Sequence, residues 1–164
     1  MKLRRKNLLS LALALVLAAG SSHVGEALAP SIQLIQTQPW VTRNNTRETQ
    51  CLAENIYHES RGESFEGKVA VAQVTINRAI HKTLFKSTIC GVVYQSKQFS
   101  WTIKPKTIKE KTAWEDSVKI AKAVINGLRL KDFDAIYYHT HSVKPLWNRD
   151  KQIVKVIGSH IFYI

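Results

Sequence analysis

The run His58-Glu59-Ser60-Arg61-Gly62-Glu63 puts an imidazole, two carboxylates and a guanidinium within six positions. Glu59 stands seven residues after Leu52 and three after Ile56, so a helix through this segment carries it on the apolar stripe. Burial disfavours the charged carboxylate, and the negative end of the helix dipole disfavours it again in the last turn. Both effects raise the pKa, and a carboxylic acid that keeps its proton near neutral pH can protonate a departing glycosidic oxygen. The bland alternative is a structural ion pair with Arg61 or Arg78. Glu63 is the possible second carboxylate, since glycosidases commonly use two that flank one bond. It could equally cap the helix that follows.

His58-Glu59 also begins like the zinc-peptidase pattern H-E-x-x-H, but position 62 is Gly, so the second ligand is missing. His139 and His141, two apart on a strand, together with His160 offer another three-histidine set. Thr140 and Ser142 beside them suit an ordinary polar strand end, and no metal site is assigned. Gln98, Phe99, Trp101, Tyr94, Tyr138 and His139 form a candidate carbohydrate surface, with aromatic faces for sugar rings and polar groups for hydroxyls. Phe99 is as well explained as core. Trp101, amid polar residues, is the better candidate for ligand contact.

These residues must be held by a mostly helical domain. Asn45 and Glu48 resemble a capping box, and Leu52, Ala53 and Ile56 give the period of a helix from Thr46 to Ser60, ended before Gly62. A second helix is expected from Phe65 to His81, with Val69, Ala72, Ile76 and Ile80 on one stripe. Ser87–Tyr94 reads as one or two helical turns, and residues 95–109 as a long polar and aromatic loop. A third helix takes Glu110–Asn126 on the stripe Trp114, Val118, Ala121, Ile125, with Gly127 as its C-terminal cap. Ala135–His139 and Val154–Tyr163 are β-rich and read as two strands, a hairpin joined through Pro145–Lys151. The fold class is α+β, mostly α, with a short C-terminal hairpin or sheet.

The chain has 164 residues, 45% hydrophobic and 22% charged, which suits one globular domain. Two cysteines exclude a disulfide-dense miniprotein and a four-cysteine zinc site. Lys2, Arg4, Arg5 and Lys6 precede the apolar run Leu8–Ala19, the layout of a secretory signal or an uncleaved N-terminal anchor over residues 1–29. Residues 30–45 lack a sustained period and read as a linker or arm, leaving 46–164 as the catalytic domain. Export to a periplasm or cell wall makes one Cys51–Cys90 disulfide the simplest pairing, with two buried thiols as the alternative. The formal charge is +12, and +9 without residues 1–29, which suits attraction to an anionic polymer by long-range steering. Nucleic acid is not expected as a partner, membrane contact only through an uncleaved N-terminal segment, and the protein is expected to be a monomer.

Taken together, Ala53-Glu54-Asn55-Ile56-Tyr57-His58-Glu59-Ser60-Arg61-Gly62-Glu63, Glu66–Val74, Asn77-Arg78, Ser87–Gln95, Gln98-Phe99-Ser100-Trp101 and Ile157–Tyr163 resemble the cell wall hydrolase family typified by the spore-cortex-lytic enzymes of SleB type. The resemblance runs from about Cys51 to Tyr163. It implies a lysozyme-related domain that cuts the glycan strands of peptidoglycan, chiefly as a lytic transglycosylase, with Glu59 catalytic and no cofactor. Two departures stand out: Ser60 where the family often has Ala, and Asp132-Phe133-Asp134-Ala135-Ile136 in place of a Gly- and Thr-containing stretch, which bears on the cleft floor. The alternatives are a hydrolytic muramidase assisted by Glu63, a metal-dependent amidase, and a non-catalytic peptidoglycan-binding protein.

Overall fold

The computed structural model of the chain describes residues 32–34, 45–81 and 83–164. The signal or anchor over residues 1–29 lies outside the described residues. Four helices follow in order: α1 Asn45–Ser60, α2 Phe65–Ile80, α3 Ile89–Val93 and α4 Lys111–Ile125. The first strand, β1 Ile32–Leu34, falls inside the segment read as a linker or arm; it pairs antiparallel with β2 Leu128–Leu130. The remaining strands, β3 Tyr137–Thr140, β4 Ile153–Ile157 and β5 His160–Tyr163, form an antiparallel sheet in the order β3-β5-β4.

α1 and α2 are central. Leu52, Ala53 and Ile56 of α1 and Val69, Ala70, Val71, Ala72 and Val74 of α2 have no exposed surface, and α1 packs on α2, α3 and α4. Burial around α2 is therefore not confined to one stripe, as expected of a helix that is apolar on most sides. Ile80, placed on the core stripe by periodicity, is 50% exposed because the helix end runs past the core. Ser64 caps α2, its hydroxyl accepting from the Gly67 amide at 3.2 Å. The capping-box role expected of Glu48 is replaced: its carboxylate accepts the Cys90 amide at 3.1 Å, in the first turn of α3.

Gly127 ends α4 at φ 105° and donates to the Val124 carbonyl at 3.1 Å, which turns the chain into β2. β2 escaped the sequence reading because three residues are too few to show alternation. Val154–Tyr163 is two strands rather than one. It folds at Gly158 and Ser159, so the hairpin is β4–β5, and Pro145–Lys151 links strands that do not pair. Gly158 has φ 55°, and a Cβ there would lie 1.9 Å from Glu63 Oε2, so glycine is required twice over.

Cys51 and Cys90 are joined, tying α1 to α3 across a separation of 39 residues. Replacing both by Ala should lower the unfolding free energy by about 3 to 4 kcal/mol in the chain-entropy account. Urea unfolding of the double variant against the oxidised parent reads this directly, and coincident midpoints would show that α3 is held by other means.

Candidate active site

Three segments converge on Glu59: the last turn of α1, the loop over 95–109 and strand β3. The loop is pinned from below. Phe99 and Trp101 are buried, at 3% and 7% exposure, and the Trp101 indole N–H donates to Asn55 Oδ1 at 3.3 Å. Asn55, with no exposed surface, donates in turn to Thr75 Oγ1 at 3.0 Å, so a fully satisfied polar link ties loop, α1 and α2. At the far end of the loop the Tyr57 hydroxyl accepts the Lys109 and Glu110 amides, each at 3.1 Å, at the start of α4.

β3 is positioned from α2. Gln73 donates to Phe133 O at 2.8 Å and accepts from the Leu130 amide at 2.7 Å; Asn77 donates to Ala135 O at 3.0 Å; Arg78 Nε donates to Ile136 O at 2.7 Å. Arg78 is buried, with its guanidinium over the rings of Phe85, Phe99 and Tyr138. The result sets Tyr138 opposite the end of α1, where its hydroxyl donates to Glu59 Oε2 at 3.1 Å.

Glu59 is half-buried on the wall shared by two lobes of one cleft. One lobe, of about 420 Å³, is lined by His58, Arg61, Trp101, Lys106 and Lys109, with the His58 ring stacked on Trp101 at 4.4 Å. The other, of about 490 Å³, carries Arg78, Gln98, Phe99, Tyr138, His139 and Trp147. Burial raises the Glu59 pKa above the ordinary carboxylate value, opposed by the Tyr138 hydrogen bond, then Arg78 and Lys106. Burial likewise pushes the Tyr138 hydroxyl well up and, with Arg61, pulls His58 down. The arrangement is a desolvated acid with sugar-sized room on both sides.

The sequence-picked residues divide. Gln98, Phe99, Tyr138 and His139 line the aromatic lobe with Glu59. Trp101, read as the better candidate for ligand contact, lines the other lobe and is at the same time a largely buried strut. Tyr94 is 53% exposed, donates its hydroxyl to Glu54 and lines neither lobe. That pairing and burial push Tyr94 up to about 12, burial being the larger cause. His139 has both ring nitrogens engaged, Nε2 with Tyr163 Oη at 2.8 Å and Nδ1 with Thr140 O at 2.8 Å. His160 lies elsewhere, 2% exposed with Nδ1 3.7 Å from Glu63, and among the described residues no cluster of His, Cys, Asp or Glu is set to hold a metal. Arg61 pairs with Glu110 at 2.9 Å rather than with Glu59. Trp147 was missed; it stands in a short polar stretch with no periodic signal.

Glu63 lines neither lobe. Its carboxylate accepts from the Ser159 hydroxyl and, at 3.3 Å, from the Ser159 amide, clamping the α1–α2 corner to the β4–β5 turn. Those bonds, the hydroxyl first, hold Glu63 below the ordinary carboxylate value. Two carboxylates four residues apart are thus pushed in opposite directions, the signature of separated roles.

The family model described as cell wall hydrolase matches residues 62–163, beginning just after Glu59. A spore cortex-lytic enzyme of Oceanobacillus iheyensis is 30% identical over 151 residues, 87% of this chain and 49% of that protein. The Bacillus subtilis spore cortex-lytic enzyme is 27% identical over 118 residues, 72% of this chain and 38% of that protein. The chain spans about half or less of the length of these relatives. Among solved structures, the catalytic domain of the Bacillus cereus SleB protein is 30% identical with a TM-score of 0.57, covering 71% of this chain and 89% of that one. The catalytic domain of the germination-specific lytic transglycosylase SleB from Bacillus anthracis gives 30% and 0.60, covering 73% and 95%. The α+β, lysozyme-like fold expected from the sequence is the fold these domains share.

Because the Glu63 pKa is depressed on folding, its stabilisation is full above the usual carboxylate range and disappears as pH falls through its folded value. Glu63→Gln should therefore cost about 1 to 2 kcal/mol at pH 7, with the gap to the parent closing in acid below that range. Thermal melts of both proteins across pH 2 to 7 give the comparison; a gap that is constant with pH would assign the cost to shape alone.

Proposed function

Because the chain belongs to the cell wall hydrolase family, we propose that it cleaves the glycan strands of peptidoglycan as an exported lytic transglycosylase, with Glu59 as sole acid and base. The observation that carries this is the desolvated carboxyl group on the wall between two lobes; of the other carboxylates nearby, Glu63 is tied to Ser159 outside the cleft and Glu110, in one lobe, is exposed and paired with Arg61. The names of the relatives, spore cortex-lytic enzyme and lytic transglycosylase, support it, and so does a disulfide, which persists in oxidising compartments outside the cytoplasm.

The strand lies across Glu59 with a sugar in each lobe. Glu59, whose burial favours the protonated form, gives its proton to the oxygen linking N-acetylmuramic acid to N-acetylglucosamine. The C1–O bond breaks and its electron pair leaves with that oxygen. The muramic 6-hydroxyl attacks C1, and its proton passes to the Glu59 carboxylate, which restores the acid and closes a 1,6-anhydro ring. An internal nucleophile needs no positioned water and so no second carboxylate. Tyr138, donating to Oε2, orients the group and stabilises its ionised form. Gln98, Phe99, Tyr138 and His139 supply the walls of one subsite, His58 and Trp101 the floor of the other.

Glu59→Gln should leave the fold intact and reduce release of soluble muropeptides from sacculi by at least about a thousandfold, while Glu63→Gln stays active. Mass spectrometry of the products distinguishes the chemistry: 1,6-anhydro-muramic ends support the transglycosylase, whereas reducing ends carrying one added water would replace it with a muramidase.

A further inference from the structure

Arg78 is 6% exposed, and among the described residues no ion pair includes it. Its Nε donates to Ile136 O, and its Nη1 is buried with no hydrogen-bond partner. The guanidinium carbon lies 5.3 Å from the ring centres of Phe85 and Phe99 and 5.9 Å from that of Tyr138. A cation taken out of water without an anion is costly, and ring faces with one carbonyl offset only part of the cost. Holding the Ile136 carbonyl does not call for a charge. One residue earlier the neutral amide of Asn77 holds the Ala135 carbonyl in the same way. What could use the charge lies at the hydroxyl of Tyr138, which meets Glu59, and Arg78 and Glu59 line the same lobe.

We infer that Arg78 is the standing counter-ion of Glu59, a positioning residue that holds Tyr138 by its ring face and offsets the negative charge each time Glu59 gives up its proton. This rests on the acid/base role proposed for Glu59. A single carboxyl group serving both steps faces opposite demands. Burial makes it a willing acid, but burial alone leaves the carboxylate too costly to form and the second step without a base. A buried cation one ring away limits that cost without contacting the substrate. The charged and titratable groups around Glu59 are Tyr57, His58 and Arg61 on α1, Arg78 on α2, Lys106 and the exposed Lys109 on the loop, the exposed Glu110 before α4 and Tyr138 on β3, with Lys97 and His139 further along the other lobe. Arg61 is taken by Glu110, and Lys97 and Lys106 are exposed and screened by water. Arg78 is the buried charge of the set. Consistently, it opposes the effect of burial on Glu59.

The test is a titration of the Glu59 carboxyl carbon by NMR in the full chain, parent against Arg78→Gln and Arg78→Lys. Arg78→Gln keeps a donor for Ile136 but removes the charge. It should raise the Glu59 midpoint by roughly one pH unit, the size of one charge at several ångströms in a half-buried site. Arg78→Lys should hold the midpoint near the parent's. On sacculi, the alkaline limb of kcat for Arg78→Gln should move up by the same amount while kcat falls and KM stays, a pattern that mere loosening of the fold would not give. A folded Arg78→Gln with an unmoved midpoint overturns the inference. Should Arg78→Gln not fold, Arg78→Met, which also removes the charge, decides: a midpoint raised by about a unit supports the counter-ion, and an unmoved one refutes it. The titration needs no substrate, so a protein inert on sacculi would count against the proposed reaction without touching this result.

Discussion

The architecture around the cleft depends on how α2 deals with the backbone of residues 130–136. Phe133 and Ala135 are buried, which drags an irregular stretch of chain into the interior, where unpaired carbonyls are expensive. Gln73, Asn77 and Arg78 answer this. Their spacing places them on one side of the helix, and they engage Leu130, Phe133, Ala135 and Ile136 in turn. Each neutral bond is worth about 1 kcal/mol net, but leaving its carbonyl unmet costs more. Once these bonds are made, β3 has no freedom of register. It enters the sheet as Tyr137 opposite Tyr163 and Tyr138 opposite Phe162, and Tyr138 must meet the end of α1. The stretch at 132–136 is thus held by its backbone carbonyls as well as by the buried side chains of Phe133 and Ala135.

The same logic separates the two carboxylates. Glu59 stands in the last turn of a helix whose other face is core, and its carboxylate accepts from a phenol, itself desolvated. Glu63 sits past the helix end, against two donors from one serine at a turn whose glycine leaves room for it. Desolvation dominates the first and hydrogen bonding the second, so the protonated form is favoured at Glu59 and the ionised form at Glu63. Side-chain type is identical; the difference lies in which backbone and hydroxyl donors the fold brings within reach.

That difference bounds what could be read from the sequence. Periodicity placed α1, α2 and α4 to within about a residue or two and put Glu59 on the apolar face, because helical burial is a local property of the chain. The disulfide followed from the compartment implied by the N-terminal layout. The β4–β5 turn was missed, since Gly158-Ser159 inside an otherwise β-rich run is a turn only when its far side meets Glu63. Glu48 was read as a local cap because the amide it accepts lies 42 residues away. Arg78 and Trp101 show the same limit from opposite sides. An arginine in an apolar helix was a possible ion-pair partner for Glu59 and is in no ion pair among the described residues, and a tryptophan read as a ligand contact is also a buried strut on Asn55.

The disulfide also bears on the site, through α3. A five-residue helix cannot hold itself together, because nucleation is not repaid over one turn. It is held from three sides: Cys90 bonded to Cys51, the Thr88 hydroxyl accepting the Gly91 amide at 3.0 Å, and Glu48 accepting the Cys90 amide. All three act at its first turn, and the buried Val92 and Val93 seat its other end on the core. From there the chain leaves into the loop that carries Gln98, Phe99 and Trp101, which closes on the hydroxyl of Tyr57, two residues before Glu59 in sequence. Both ends of the loop are therefore referred to α1, the helix that carries the acid. The crosslink fixes where the loop starts and Tyr57 where it stops, so the walls of the cleft are anchored to the helix that carries the carboxyl group between them.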